Sequence, residues 1–161
     1  MKSLLLVRHA KSSWDFDTTD FDRPLNHRGE KDAPAMAKKI KLNGVAIDAF
    51  VSSPAKRAVT TARHFAEVYG AKNSVTEVPY LYEPTMESFN TAIENLKDED
   101  NAVAIFSHNP GITHFVNSLT ATQIPDMPTC AIFAIKVDVE SWKDFAEGKK
   151  KFWFMDYPKA G

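Results

Sequence analysis

Leu4-Leu5-Leu6-Val7-Arg8-His9 is the stretch of sequence that decides the fold. Its four consecutive apolar residues predict a short strand that is covered on both faces, as in the parallel sheets of α/β proteins. The strand ends directly on Arg8 and His9, which places a permanent cation and a histidine at its carboxyl end. Ligands of parallel sheets bind beyond the carboxyl ends of the strands. A guanidinium group can bind two oxygens of one phosphate through two parallel hydrogen bonds. The stretch therefore predicts a phosphate site on a parallel sheet.

Length and composition limit the classes of protein to which the chain can belong. Its 161 residues fit one domain that buries a sizeable core, so we expect a single domain over residues 1–161. The formal net charge is -1, which gives no general attraction to nucleic acid. The single cysteine, Cys130, excludes an internal disulfide and fits a reducing compartment. Because neither a signal peptide nor a membrane-length apolar run is visible, we expect a cytoplasmic protein without membrane partners.

Strand and helix patterns alternate along the rest of the chain. Further apolar strands are predicted at residues 49–51, 75–78, 102–106 and 131–137, and an edge strand at 152–154. Apolar residues spaced three and four apart predict helices at residues 28–42, 54–70, 85–96 and from 110 onward. Ser53 is expected to cap the second helix, with Pro54 as its first residue. This alternation predicts an α/β three-layer sandwich, in which a mostly parallel sheet carries helices on both faces and has an antiparallel edge strand.

Three of the predicted strands deliver polar side chains at their carboxyl ends. The first delivers Arg8 and His9, the second is followed by Arg57, and the strand at residues 102–106 is followed by His108. Each feature alone has an ordinary structural explanation, such as an ion pair, a solvated helix charge or a turn. Because parallel strands bring these ends to one edge of the sheet, we expect two arginines and two histidines to converge there. Arginine stays charged, and histidine can act as an acid, a base or a nucleophile.

Four ordered motifs resemble those of a known family. They are LVRHAKSSW at residues 6–14, RPLNHRG at 23–29, SSPAKRAVTTA at 52–62 and SHNPG at 107–111. Together they resemble the motifs of the histidine phosphatase superfamily, the phosphoglycerate mutase-like proteins. They are most similar to its small SixA-like branch of phosphohistidine phosphatases. The resemblance implies that residues 1–161 form one histidine phosphatase domain.

The resemblance also implies roles for the residues at the strand ends. His9 is expected to be the nucleophile that attacks phosphorus, and the phosphohistidine formed on it is then hydrolysed by water. Arg8, Arg57 and His108 are expected to surround the phosphoryl oxygens, whose negative charge grows in the transition state. Because clustered arginines supply the positive charge, we expect no metal and no other cofactor. A backbone carbonyl or a similar acceptor must hold the second ring nitrogen of His9 to fix its tautomer.

Three further residues belong to this hypothesis. Arg23 corresponds in position to a further phosphate-pocket arginine of the branch, and the backbone N–H of Asn109 is expected to add a donor. Glu83 follows the third strand, where larger relatives carry the acid that protonates an oxygen leaving group. An exposed loop glutamate is the alternative interpretation of Glu83. Phosphohistidine leaves as an imidazole, for which general-acid assistance matters less.

The expected function is that of a metal-independent phosphatase acting on phosphohistidine in a protein, for example in a phosphohistidine domain. The alternatives are a phosphatase or mutase acting on a small phosphate ester, and a non-catalytic phosphate-binding module. The longest loops, residues 11–22 and 120–129, are too short for a substantial lid, and the second of them is expected to border the pocket. An open pocket suits a phosphate on a protein surface, whereas a mutase needs a site that excludes water.

Four aspartates in the first of these loops are expected to be solvated. Asp15, Asp17, Asp20 and Asp22 look briefly like a calcium-binding loop. The spacing fails because Asp20 stands where that loop needs a glycine.

Overall fold

Six strands and four α-helices alternate along residues 1–14, 17–71 and 74–159, the parts of the chain that the computed structural model describes. The strands are β1 (Lys2–Arg8), β2 (Ala49–Ser52), β3 (Val75–Glu77), β4 (Ala102–Ser107), β5 (Ile132–Asp138) and β6 (Lys149–Asp156). The helices are α1 (His27–Leu42), α2 (Lys56–Val68), α3 (Met86–Glu94) and α4 (Gly111–Leu119). In these parts of the chain, no helix has the length and apolar character that crossing a membrane requires.

The strands form one sheet in the order β3-β2-β4-β1-β5-β6. β1 to β4 run parallel to one another, β5 is antiparallel to β1, and β6 is antiparallel to β5 at the edge. The predicted α/β architecture, with a mostly parallel sheet and an antiparallel edge, is therefore confirmed. β4 lies between β1 and β2, so these two strands, which are consecutive in the sequence, are not neighbours in the sheet.

Side chains of β1 alternate between two apolar cores, one on each face of the sheet. Leu4 and Leu6 belong to a cluster with residues of α3 and α4, and Leu5 and Val7 to a cluster with residues of α1 and α2. All four side chains are fully buried. Successive side chains of a β-strand point to opposite faces of the sheet, which explains this alternation. Because both faces are buried, the sequence of β1 is continuously apolar.

Strand pairing brings three carboxyl ends to the same level of the sheet. Arg8 at the end of β1 lies opposite Ser107 of β4, and Ser52 at the end of β2 lies opposite Phe106. The backbone N–H of His9 donates to the Ser107 carbonyl at 3.2 Å, which continues this pairing one residue beyond β1. The residues that follow the three strands therefore share one edge of the sheet.

The predicted start of the second helix is wrong by two residues. α2 begins at Lys56 after Ala55, and Ser53 does not cap it. The backbone N–H of Ser53 is held by the Phe106 carbonyl at 2.9 Å, so Ser53 extends the strand pairing. The predicted edge strand is longer than expected, since β6 covers eight residues.

The loop after β1 is fixed against the start of α1. Asn26 caps α1 by accepting a hydrogen bond from the Gly29 N–H at 2.9 Å, and its own N–H donates to the Lys11 carbonyl at 3.0 Å. Gly29 packs so closely on this backbone that a Cβ atom there would overlap the carbonyl oxygen of Lys11. The glycine thus sets how near the loop approaches the helix.

Gly29→Ala is expected to lower the free energy of unfolding by about 1–3 kcal/mol, because the added methyl group must displace the Lys11 backbone. Urea denaturation followed by circular dichroism measures this change. Lys31→Ala, at an exposed position of the same helix, is the matched control and should stay within about 0.5 kcal/mol of the parent. Equal stability of the two variants would contradict the packing described for Gly29.

Candidate active site

The carboxyl ends of β1, β2 and β4 surround a cavity of about 260 Å³. It brings together the predicted phosphate-site residues Arg8, His9, Arg23, Arg57, His108 and Asn109. The loops after β1 and before β5 complete its walls with Lys11, Ser12, Trp14 and Thr129. A cavity of about 320 Å³ beside β6 is larger, but the described residues that line it include no cation. Chemistry rather than size therefore identifies the candidate site, which we call the His9 cavity.

His9 is held as a neutral imidazole with a defined tautomer. It is 6% exposed, and its Nδ1 lies 2.8 Å from the backbone oxygen of Ala10. Because a carbonyl only accepts hydrogen bonds, Nδ1 carries the proton and Nε2 keeps its lone pair. Burial lowers the pKa of His9 to about 3; the hydrogen bond to Ala10 opposes this shift, and the charges of Arg57, Arg8 and Arg23 reinforce it. The expected backbone acceptor for the second ring nitrogen is present.

A hydrogen bond to the buried Ser53 hydroxyl sets the tautomer of His108. Its Nε2 lies 2.7 Å from the hydroxyl oxygen of Ser53, and that oxygen accepts a hydrogen bond from the Ala55 N–H at 3.2 Å. Among the described residues, no other acceptor faces the Ser53 hydroxyl hydrogen, so we assign this hydrogen to Nε2 of His108 and the imidazole proton to Nδ1. Burial is the largest cause that lowers the pKa of His108 to about 2; His9, once it is protonated at low pH, and the charge of Arg57 add to this shift. His108 is thus a neutral N–H donor, and its ring centroid lies 5.1 Å from that of His9.

Arg8 and Arg57 are anchored through their terminal nitrogens. Arg8 Nη1 donates to the Met127 carbonyl at 2.9 Å, while Arg57 Nη1 and Nη2 donate to the backbone and side-chain oxygens of Asp20 at 2.6 and 3.1 Å. The Nε atoms of both arginines and Nδ1 of His108 are buried, and within the described residues they have no hydrogen-bond partner. Three buried donors around one cavity are a suitable set for an oxyanion with several terminal oxygens.

Asp20 organises the arginines, and the sequence interpretation of a solvated loop missed this. Its carboxylate accepts hydrogen bonds from Tyr82, Arg57 and Arg23, the last from Nε at 3.2 Å. These contacts, with the Tyr82 hydrogen bond as the largest cause, lower the pKa of Asp20 to about 2. The available signal was the three-residue spacing of Asp20 and Arg23; Asp20 begins a short 3-10 turn, and Arg23 directly follows it. Asp15 of the same predicted loop lies outside the described residues.

Asn109 lines the His9 cavity, whereas Glu83 lines a neighbouring cavity. The Asn109 side chain donates to the Asp126 carboxylate at 2.9 Å and to the Met127 carbonyl at 3.0 Å, so it fastens the loop before β5. Glu83 is exposed and lines a neighbouring cavity of about 470 Å³, which shares Arg57 and His108 with the His9 cavity. Glu83 is not among the residues that line the His9 cavity itself.

We predict that both cavity histidines stay neutral in the folded protein as the pH falls from 7 to about 4. Their pKa values are lowered to about 3 and about 2, so the unfolded chain binds more protons below about pH 6.5. The free energy of unfolding should therefore decrease with falling pH in this window, by roughly 1–3 kcal/mol per pH unit. Long-range ¹⁵N–¹H NMR spectra should show Nδ1–H tautomers for both rings. A ring of either residue that titrates near pH 6.5 would contradict the burial and contacts described.

Ser53→Ala is expected to weaken tungstate or vanadate binding by about tenfold, because His108 loses the partner that keeps its proton on Nδ1. Isothermal titration calorimetry measures the affinity, and the ¹⁵N shifts of His108 report the tautomer. Ser52→Ala is the matched control, since Ser52 is equally buried and its hydroxyl donates to the Ser53 carbonyl at 2.8 Å. If both variants bind the oxyanion like the parent protein, Ser53 does not set the donor at His108.

Comparison with known proteins assigns this chain to a family. The histidine phosphatase superfamily (branch 1) matches residues 4–89, from β1 into α3. An uncharacterised chloroplastic protein of Arabidopsis thaliana is 29% identical over 153 residues, which are 89% of this chain and 70% of that protein. A 2,3-bisphosphoglycerate-dependent phosphoglycerate mutase of Bartonella tribocorum is 36% identical over 72 residues, which are 43% of this chain and 35% of the mutase.

Comparison with solved structures shows the same fold. The structure of the protein histidine phosphatase SixA complexed with tungstate matches with a TM-score of 0.82 and 23% identity, over 96% of each chain. The family that the four sequence motifs predict is confirmed by the match over residues 4–89, which include Arg8, His9, Arg23 and Arg57. The chain belongs to the histidine phosphatase superfamily (branch 1).

Proposed function

We propose that the protein is a metal-independent phosphatase that removes the phosphoryl group from phosphohistidine on a protein, through a phosphohistidine formed on His9. One observation carries this proposal. A neutral His9, whose Nδ1 is bonded to the Ala10 carbonyl, shares a cavity with three buried donors, Arg8 Nε, Arg57 Nε and His108 Nδ1. A nucleophile and an oxyanion site side by side are what phosphoryl transfer requires.

The first step joins the phosphorus atom to Nε2 of His9. The lone pair of Nε2 forms the new bond, the bond from phosphorus to the substrate nitrogen breaks, and its electron pair leaves with the substrate imidazole, which departs neutral because its other ring nitrogen carries a proton. In the intermediate, the hydrogen bond to Ala10 keeps a proton on Nδ1 of His9. When water attacks phosphorus, His9 therefore leaves as a neutral imidazole rather than as an anion. The products are inorganic phosphate and the starting form of His9.

Positive charge and N–H donors at the His9 cavity stabilise the transferring group. Phosphoryl transfer spreads negative charge over three equatorial oxygens, which need preorganised partners. Arg8 and Arg57 keep their Nε donors for these oxygens because the Met127 carbonyl and Asp20 hold their terminal nitrogens. In this proposal the guanidinium groups take the part that metal ions play at many other phosphoryl-transfer sites.

A phosphohistidine substrate fits a cavity whose described lining residues offer no carboxylic acid as a proton donor. The residues described as lining it include no carboxylic acid, and Asp20 beside it is ionised because its pKa is about 2. An alkyl ester needs a proton on its leaving oxygen, whereas an imidazole needs little help. Glu83, in the neighbouring cavity, is our candidate for the residue that would supply this proton to an ester substrate.

His9→Ala is expected to reduce phosphate release from a phosphohistidine protein by more than about a thousandfold, because the variant lacks the proposed nucleophile. The assay contains a chelator, and quenched reactions of the parent enzyme are analysed for acid-labile phosphate bound to His9. His114→Ala, at an exposed position of α4, is the control and should retain full activity. Release that survives in His9→Ala would falsify the assignment of the nucleophile. Efficient alkyl phosphate hydrolysis that is lost in Glu83→Gln would instead support an ester phosphatase.

A further inference from the structure

An exposed tryptophan stands at the mouth of the His9 cavity. Trp14 lines the cavity with His9 and yet is 77% exposed. Of the residues that line the cavity, the exposed ones are Trp14 and Lys11, whereas His9 is buried. The cavity thus has a buried end with the nucleophile and an open end with an indole ring.

The indole ring is held in place from one side. The Arg23 guanidinium carbon lies 3.5 Å from the centroid of the Trp14 ring, and Arg23 is 7% exposed. Arg23 is itself fixed, because it donates to the Asp20 carboxylate at 3.2 Å and to the Ser12 hydroxyl at 2.6 Å. One face of Trp14 therefore rests on an immobilised cation, and the other remains accessible to a ligand.

We propose that the exposed face of Trp14 is the leaving-group subsite, which stacks on a flat aromatic ring bonded to the phosphoryl group, the imidazole of phosphohistidine in particular. The inference rests on the proposed function and identifies the substrate class at that site. The leaving group lies in line with the nucleophile on the opposite side of phosphorus. With His9 at the buried end, that side is the open end, where Trp14 stands. Two aromatic rings in offset or edge-to-face contact are stabilised by more than the burial of their apolar surface alone provides.

Trp14→Ala is tested with two substrates that both contain a bond from phosphorus to nitrogen. N-phosphorylimidazole has an aromatic leaving group, and phosphoramidate has ammonia. The variant is expected to lose about fivefold to tenfold in kcat/KM for N-phosphorylimidazole and less than about twofold for phosphoramidate. Trp14→Phe, which keeps an aromatic face, should restore most of the lost activity. Each variant is compared with the parent on the same substrate, so the intrinsic reactivity of the two compounds cancels.

Trp153→Ala is the matched control. Trp153 is 37% exposed and also carries a cation over its ring, since Lys136 Nζ lies 3.7 Å from the ring centroid. It belongs to β6 and lines the cavity beside that strand rather than the His9 cavity. Both substrates should be hydrolysed by Trp153→Ala at the parent rate.

The alternative role of Trp14 is to shield Arg23 from water. In that case Trp14→Ala lowers kcat/KM for both substrates and the affinity for tungstate by the same factor, a result that overturns the proposal. A second measurement does not depend on turnover. The parent protein should bind phenylphosphonate about fivefold to tenfold more tightly than methylphosphonate, and Trp14→Ala should abolish this preference. If the preference is present but neither substrate releases phosphate, the proposed function fails and the subsite stands; if Trp14→Ala keeps the preference, the subsite is wrong.

Discussion

The parallel pairing of β4 with both β1 and β2 is the constraint on which the rest of the site depends. It sets Arg8 opposite Ser107 and Ser52 opposite Phe106, so the residues that follow the strands meet at one level. A slip of one residue would send every side chain to the other face of the sheet, and both apolar cores oppose such a slip. The same burial that stabilises the sheet therefore positions His9, and the candidate site needs no separate scaffold.

At this edge the fold must hold several cations close together and still leave them donors for a ligand. Asp20 meets part of this requirement, since its carboxylate and backbone oxygens engage Arg57 and its carboxylate also engages Arg23. Backbone carbonyls do the same for Arg8 and for the ring of His9. Groups that are already oriented need not reorganise when negative charge develops, which is the main physical advantage of such a site. The buried histidines are neutral because desolvation and the nearby arginines disfavour a further positive charge.

Much of this architecture is predictable from local pattern, and its exceptions have a common cause. The apolar run of β1 and the order of the four motifs predict the fold and the superfamily, because both are carried by neighbouring residues. Asp20 escaped the prediction because its partner Arg57 is 37 residues away, so a solvated loop seemed the natural interpretation. Ser53 was expected to cap a helix, but in the structure its hydroxyl is hydrogen-bonded to His108, 55 residues away. Glu83 follows β3 as expected, but the chain places it in a neighbouring cavity.

The sequence by itself determined the strand that ends in Arg8 and His9, the alternation that makes a mostly parallel sheet, and the family of the chain. These features depend on hydrophobic period and on short motifs, which act over a few residues. Only the tertiary structure decided that β4 lies between β1 and β2, which partners the ring nitrogens of His9 and His108 meet, and that Trp14 packs on Arg23 at the cavity mouth. Those properties depend on contacts between residues far apart in the chain, and these contacts form only when the helices pack on both faces of the sheet.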